Sequence, residues 1–154
     1  MNDLTRRLAN HIKRTVTGPM WHGPSLNEVL DGVTAEVAAA RPVANAHSIW
    51  ELVLHITAWS VIARARLRGE QIIDPPPAQD WPPPGGTSAS AWTSALERMR
   101  ESYVALADDV KQLDDARLAD KVTGLDYTLS NLLHGVIEHG TYHGGQIALL
   151  KKFR

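Results

Sequence analysis

The chain has 154 residues, 44% apolar and 21% charged, with a formal net charge of −1 and no cysteine. That suits a single domain, residues 1–154, built round one core. It excludes a disulfide framework, a thiolate metal site and a cysteine nucleophile. No run of one charge sign makes the basic face of a nucleic-acid binder, so no nucleic-acid partner is expected. The first residues carry no apolar core of the signal-peptide kind, and no stretch reaches the roughly 18 apolar residues of a membrane span. A cytoplasmic protein without a membrane partner is therefore expected.

Four segments carry a helical period, which predicts an all-α fold, a four-helix bundle with long crossover connections. The first covers about residues 3–16, with Leu4, Leu8, Ile12 and Val16 on one stripe. Residues 17–47 form a long connection. It holds Trp21-His22-Gly23-Pro24-Ser25 and the patch Thr34-Ala35-Glu36-Val37-Ala38-Ala39-Ala40, which ends before Pro42 and predicts two short helical pieces. The second helix starts near Ser48, an N-cap residue type, and runs to about Arg68 just before Gly69. Its seam is Leu52, His55, Trp59 and Ile62.

Residues 69–87 contain two triple prolines, Pro75-Pro76-Pro77 and Pro82-Pro83-Pro84, the second followed by Gly85-Gly86. That composition forbids helix and favours an extended link. A link of this length can run along the bundle, leaving the second and third helices parallel. The third helix covers about residues 88–112, with Trp92, Leu96, Met99, Tyr103, Leu106 and Val110 on its seam. The fourth covers about residues 128–152, with Leu129, Leu132, Val136, His139, His143, Gln146 and Leu150 on its seam.

The chemistry sits on two of these seams. His139 and His143 are one turn apart on one helical face, a spacing at which two imidazoles can bind one ion. Both replace the aliphatic residue that a core seam would otherwise carry. Gly140, Gly144 and Gly145 lie in the same two turns, although glycine inside a helix costs about 1 kcal/mol relative to alanine. Something bulky beside the backbone would explain them. His55 is the polar intruder on the second seam. A bundle that faces these seams brings three imidazoles together, and three neutral imidazoles suit zinc, nickel, copper or iron. Three protein ligands leave a coordination position open, as in catalytic zinc sites. The competing reading, three unrelated core histidines with hydrogen-bonded rings, explains each one singly and their convergence not at all.

Ser48-Ile49-Trp50-Glu51-Leu52-Val53-Leu54-His55-Ile56 with Trp59 resembles the histidine-bearing second helix of the DinB-like superfamily. His139-Gly140-Thr141-Tyr142-His143-Gly144-Gly145-Gln146-Ile147 resembles that family's closing segment, and Trp21-His22-Gly23-Pro24-Ser25-Leu26 is similar to the opening of the branch that includes bacillithiol S-transferases. The resemblance implies a four-helix bundle with crossovers, one divalent transition metal (zinc or nickel) on His55, His139 and His143, and a homodimer. It also implies a small-molecule substrate and a low-molecular-weight thiol as co-reactant. A metal-dependent thiol transferase is the first expectation. A metal-dependent hydrolase using a metal-bound water is the second, and a non-catalytic metal- or ligand-binding bundle the third.

Other residues have two readings each. Glu51, one turn before His55, is either a base near the metal or a solvated carboxylate. Gln146, one turn beyond His143, is a candidate to hold a ligand imidazole in place. Arg64 and Arg68 either complement the dipole at the end of their helix, as does Arg66, or bind an anionic cofactor. His22 lies in a Gly-Pro turn and either approaches the site or serves the turn. Trp81 is a lid or a docking residue. Glu138, His134, His11 and Tyr142 fall off the seams. His47 belongs to the entry of the second helix.

Overall fold

Side-chain caps set most helix starts. Ser48 accepts from the Glu51 amide at 3.2 Å, and the Glu51 carboxylate accepts from the Ser48 amide at 2.8 Å, closing a capping box. Ser88 and Thr128 cap the next two long helices through the amides of Ala91 and Asn131. In the computed structural model, which describes residues 3–153, the elements run α1 (Asp3–Thr17), α2 (Leu26–Leu30), α3 (Ala35–Ala39), α4 (Ile49–Leu67), α5 (Pro77–Asp80), α6 (Ala89–Lys111) and α7 (Leu129–Leu150). Short 3-10 turns occupy Asp115–Ala119 and Lys151–Phe153. The described residues contain isolated bridges but no strand.

Helix α1 is capped from across the chain. The Asp115 carboxylate accepts from the amides of Asp3, Leu4 and Thr5 at 2.9–3.2 Å, satisfying donors that a helix start leaves orphaned. The buried stripe of α1 is turned relative to the sequence expectation. Leu4 is exposed, and the core face is Thr5, Leu8, Ala9, Ile12, Thr15 and Val16.

Four long helices, α1, α4, α6 and α7, make the bundle. Helix α6 packs on both α1 and α4, and α7 packs on the other side of both. Cross-helix pairs give the directions. Trp50 meets Trp92, Ser60 bonds Ser102 and Arg64 bonds Asp109, so α4 and α6 run parallel. His55 lies against His139 and His143, whereas Leu52 shares a cavity wall with Leu149 and Leu150, so α4 and α7 run antiparallel. The parallel pair requires residues 69–87 to return along the bundle. One turn of that link is helical, contrary to the expectation that its prolines forbid helix. Pro77 stands at the first helical position, where a missing N–H costs nothing, and the amides of Asp80 and Trp81 bond the carbonyls of Pro76 and Pro77.

The core is filled by Ile12, Ile49, Trp50, Ile56, Ile62, Met99, Tyr103, Leu106, Leu133 and Ile147. Trp92 reaches from α6 to the carbonyl of Val33 at 2.8 Å, which fixes the loop before α3 to the bundle.

Candidate metal centre

The antiparallel pairing of α4 and α7 brings their histidines to one level of the bundle. His139 Nε2 is 3.0 Å from His55 Nε2 and 3.1 Å from His143 Nε2. The three ligand atoms lie within 4.8 Å of one another. Nitrogens about 2.0–2.1 Å from a tetrahedral zinc are about 3.3 Å apart, so the observed spacing is close to that of one shared ion. Gly140 makes the level possible. A Cβ there would stand 2.8 Å from both Thr15 Cγ2 and Tyr103 Oη, so α1 and α6 press on α7 immediately behind His139.

The far sides of the rings decide which nitrogen carries the proton. His55 Nδ1 lies 2.7 Å from the carbonyl oxygen of Asp80, which can only accept. The proton is therefore on Nδ1, and Nε2 presents its lone pair to the cluster. His143 Nδ1 donates in the same way to Gln146 Oε1 at 2.6 Å, while Gln146 Nε2 donates to Tyr142 Oη at 3.2 Å. His139 Nδ1 is buried and has no partner. Whichever nitrogen of His139 carries its proton, Nδ1 stays buried without a partner, and with the proton on Nδ1 three Nε2 lone pairs face one another. A cation at the convergence point would remove that repulsion, and neutral imidazoles, two of them with outer N–H groups held by oxygen acceptors, are a donor set that suits such ions. The residues present fit a divalent transition metal.

Electrostatics point the same way. Burial holds the pKa of His55 and His143 below the ordinary imidazole value, outweighing the opposite pull of Asp80 on the first and Gln146 on the second. Burial, reinforced by its two histidine neighbours, takes His139 down to about 3. All three are thus neutral near pH 7 and able to ligate.

The link between the triple prolines supplies the outer support. Besides its carbonyl contact with His55, Asp80 accepts from Trp59 Nε1 through Oδ1 at 2.7 Å. Trp81 is sandwiched between His55 and His47, with ring centroids 3.7 and 3.6 Å away and nearly parallel planes. It therefore docks against a ligand ring. Sequence reasoning missed Asp80, whose contact to His55 runs through the backbone and leaves no side-chain signature.

A cavity of about 630 Å³ opens from His55, His139 and His143 between α4 and α7. Trp59, Leu132, Val136 and Tyr142 line it, together with Arg66, Asp80, Tyr127 and Asn131. The other candidate residues lie elsewhere. Glu51 is engaged in the α4 capping box and in an ion pair with Arg41. Burial pushes its carboxyl up, but the Ser48 amide and Arg41 outweigh that and hold it below its usual range. Arg64 and Arg68 both bind Asp109 of α6, at 2.8 and 2.9 Å, away from the cavity. Arg66, between them in sequence, is the arginine that faces it. His22 is exposed beside a second, smaller cavity behind α7, lined also by Thr15, Leu26 and Gly140. Glu138, His134 and His11 are exposed.

No helix among the described residues is long and apolar enough to cross a membrane. No curated protein and no solved structure matches the chain significantly. The family profile of the DinB superfamily does match, over residues 21–147, a span that includes all three histidines, the Asp80 link and Gln146. The chain belongs to the DinB superfamily.

Proposed function

We propose that this protein is a metal-dependent transferase that joins a low-molecular-weight thiol to an electrophilic small molecule. The observation that carries the reading is the convergence of three imidazole Nε2 atoms at the head of a largely apolar cavity. A divalent ion there, zinc or nickel by ligand chemistry, would leave a position for an exogenous sulfur and lower the thiol pKa, supplying a thiolate near neutral pH. The chain contributes no thiol of its own.

The protein's residues then have defined tasks. His55, His139 and His143 hold the ion. The Asp80 carbonyl and Gln146 fix two of the rings by accepting their Nδ1 protons. Trp59, Leu132 and Val136 exclude water and bind the apolar part of the electrophile. In the reaction, sulfur forms a bond to the electrophilic carbon. The bond to the leaving group breaks with its electron pair, so that a halide departs while an epoxide oxygen stays attached and takes up a proton from solvent, and the thiol proton passes to solvent.

The hydrolase alternative needs a base beside the ion. Glu51, the sequence candidate, is committed to its cap and to Arg41. Asp80, a carboxylate that lines the cavity, is held by Trp59 and lies 3.3 Å from His55 Nδ1, on the outer side of that ring. The proposal extends to a homodimer, to be read by sedimentation.

Two measurements test the reading. Elemental analysis of untagged protein purified without chelator should give about one ion per chain, lost in His55→Ala and His143→Ala. Zinc- or nickel-loaded protein should then consume an activated aryl halide or an epoxide only when a thiol from a broad panel is present. Turnover of esters without any thiol would favour the hydrolase. Bound metal without turnover of any kind would leave a binding bundle.

A further inference from the structure

Arg66 is 4% exposed, yet no carboxylate among the described residues pairs with it. Its Nε and Nη2 donate to the carbonyls of Ile72 and Ile73 at 2.8 and 2.9 Å, and Nη1 donates to Tyr127 Oη at 2.9 Å. Its guanidinium carbon lies 5.4 Å from the centroid of Trp59. Trp59 in turn stands 5.9 Å from the His139 ring. A guanidinium has five N–H donors, so two remain after these bonds. A buried cation normally comes with an anion, because neutral acceptors replace the hydration of its hydrogen-bonding groups but not its charge. Here a buried charge with no carboxylate partner sits on the wall of the cavity that the histidines head.

The surroundings favour a small carboxylate with an apolar body. Trp59, Leu132 and Val136 offer the apolar wall, and Tyr127 and Asn131 add polar groups on the Arg66 side. Arginine matches a carboxylate through paired N–H donors in a planar fork. Arg64 and Arg68, at the end of the same helix, share the Asp109 carboxylate, and Arg68 is also well exposed to water. Arg66 is thus the α4 arginine with no carboxylate partner among the described residues, and it is the one on the cavity wall.

We infer that Arg66 is the anion-recognition residue of this cavity and that the ligand carries a carboxylate at the end away from the three histidines. This rests on the transferase reading only for which end of the ligand reacts. The carboxylate belongs either to the thiol or to the electrophile. Both place the same chemistry on Arg66.

The test compares hexanoate with hexanamide by isothermal titration calorimetry, on metal-free and zinc-loaded full-length protein at about pH 8, where the histidines are neutral. Hexanoate should bind about tenfold or more tightly than the amide in both forms, the worth of a charged hydrogen bond. Arg66→Gln should abolish the preference. Because Arg66 also holds the link after α4, a second variant keeps the test sound if that one fails to fold. Asn131→Asp stands in the first turn of α7, where an acid suits the helix dipole, and adds a negative charge to the cavity wall. It should remove most of the preference while leaving the melting temperature in place. A third arm adds 6-sulfanylhexanoate and hexanethiol on zinc-loaded protein. If the thiol acid loses affinity in Arg66→Gln and the plain thiol does not, the carboxylate is on the thiol. If only hexanoate responds to Arg66, it is on the electrophile. Equal binding of acid and amide to metal-free protein would overturn the inference, whatever the protein's metal content. So would a preference that survives both variants. Absence of metal would sink the transferase reading and leave this comparison intact.

Discussion

Gln146 offers the sharpest test of how the ligand rings are held. Its Oε1 is the acceptor for His143 Nδ1, at 2.6 Å, so it fixes which nitrogen faces the other two histidines and how the ring is turned. Gln146→Leu keeps the volume and removes the acceptor. Loss of such a partner typically lowers metal affinity about 10–100-fold, or about 1.4–2.8 kcal/mol. Fold stability should change little, because Gln146 is only half-buried and spans one turn of a helix that is well packed elsewhere. Gln146→Glu retains an acceptor and makes the imidazole more basic, so it should bind zinc as well as the parent or better. The assay is competition for zinc against a chromophoric chelator, with denaturant unfolding of the metal-free proteins run beside it. Unchanged zinc affinity in Gln146→Leu, alongside lost affinity in His143→Ala, would refute the role assigned to Gln146. A parallel fall in metal-free stability would show that packing is the cause.

Other consequences can be measured with the same protein. The three histidines have folded pKa values below the unfolded value of about 6.5, so the folded state binds fewer protons than the unfolded one. Their stabilisation is therefore complete above about pH 6.5 and is lost as pH falls towards the folded pKa, about 3 for His139, at up to about 1.4 kcal/mol per pH unit for each histidine. Urea unfolding of metal-free protein between about pH 8 and 4.5 should show the decline, and zinc should be released below about pH 6. Gly140→Ala puts a methyl 2.8 Å from Thr15 and Tyr103. Overpacking of this kind costs about 1–3 kcal/mol against at most about 1 kcal/mol gained in helix propensity, so chemical denaturation should show a net loss and zinc titration a weaker site. Asp115→Asn weakens the cap on three amides at the start of α1 and should lower the melting temperature without changing zinc affinity, since the cap lies at the opposite end of α1 from Thr15, the residue that presses on α7 behind His139.

The long helices were legible because each signal was local. Ser48, Ser88 and Thr128 stand one residue before the helices that they cap, and each apolar seam repeats within its own segment. The three histidines stood out for the same reason, as polar residues where the period calls for an aliphatic one. What escaped notice depends on partners distant in sequence. Leu4 fits the α1 stripe by spacing, yet the real face is set by α6 and by the Asp115 cap, and it buries Thr5 instead. Arg64, Arg66 and Arg68 read alike as a basic helix end. Only the packing of α6 separates the two that meet Asp109 from the one turned towards the cavity. The glycines of α7 divide similarly. Gly140 admits Thr15 and Tyr103, Gly144 lies against Leu26, and nothing approaches Gly145.

The proline-rich link shows most clearly how sequence composition and function connect here. Its length makes it a spacer, needed because two parallel helices cannot be joined by a short turn. Yet a flexible spacer could not hold an acceptor 2.7 Å from His55 Nδ1. Prolines on both sides of the segment containing Asp80 and Trp81 reduce its freedom before folding, so less entropy is lost when it docks. The one-turn helix α5 then aims the Asp80 carbonyl at the ring, and Trp81 stacks on that ring with His47 on its other face. The link thus fixes His55 on its outer side, as Gln146 fixes His143. His139 has no such partner, and its position is instead imposed from behind, by Thr15 and Tyr103 across Gly140. Three histidines are oriented by three different parts of the chain. A change in any one of them should loosen a single ring and leave the other two in place.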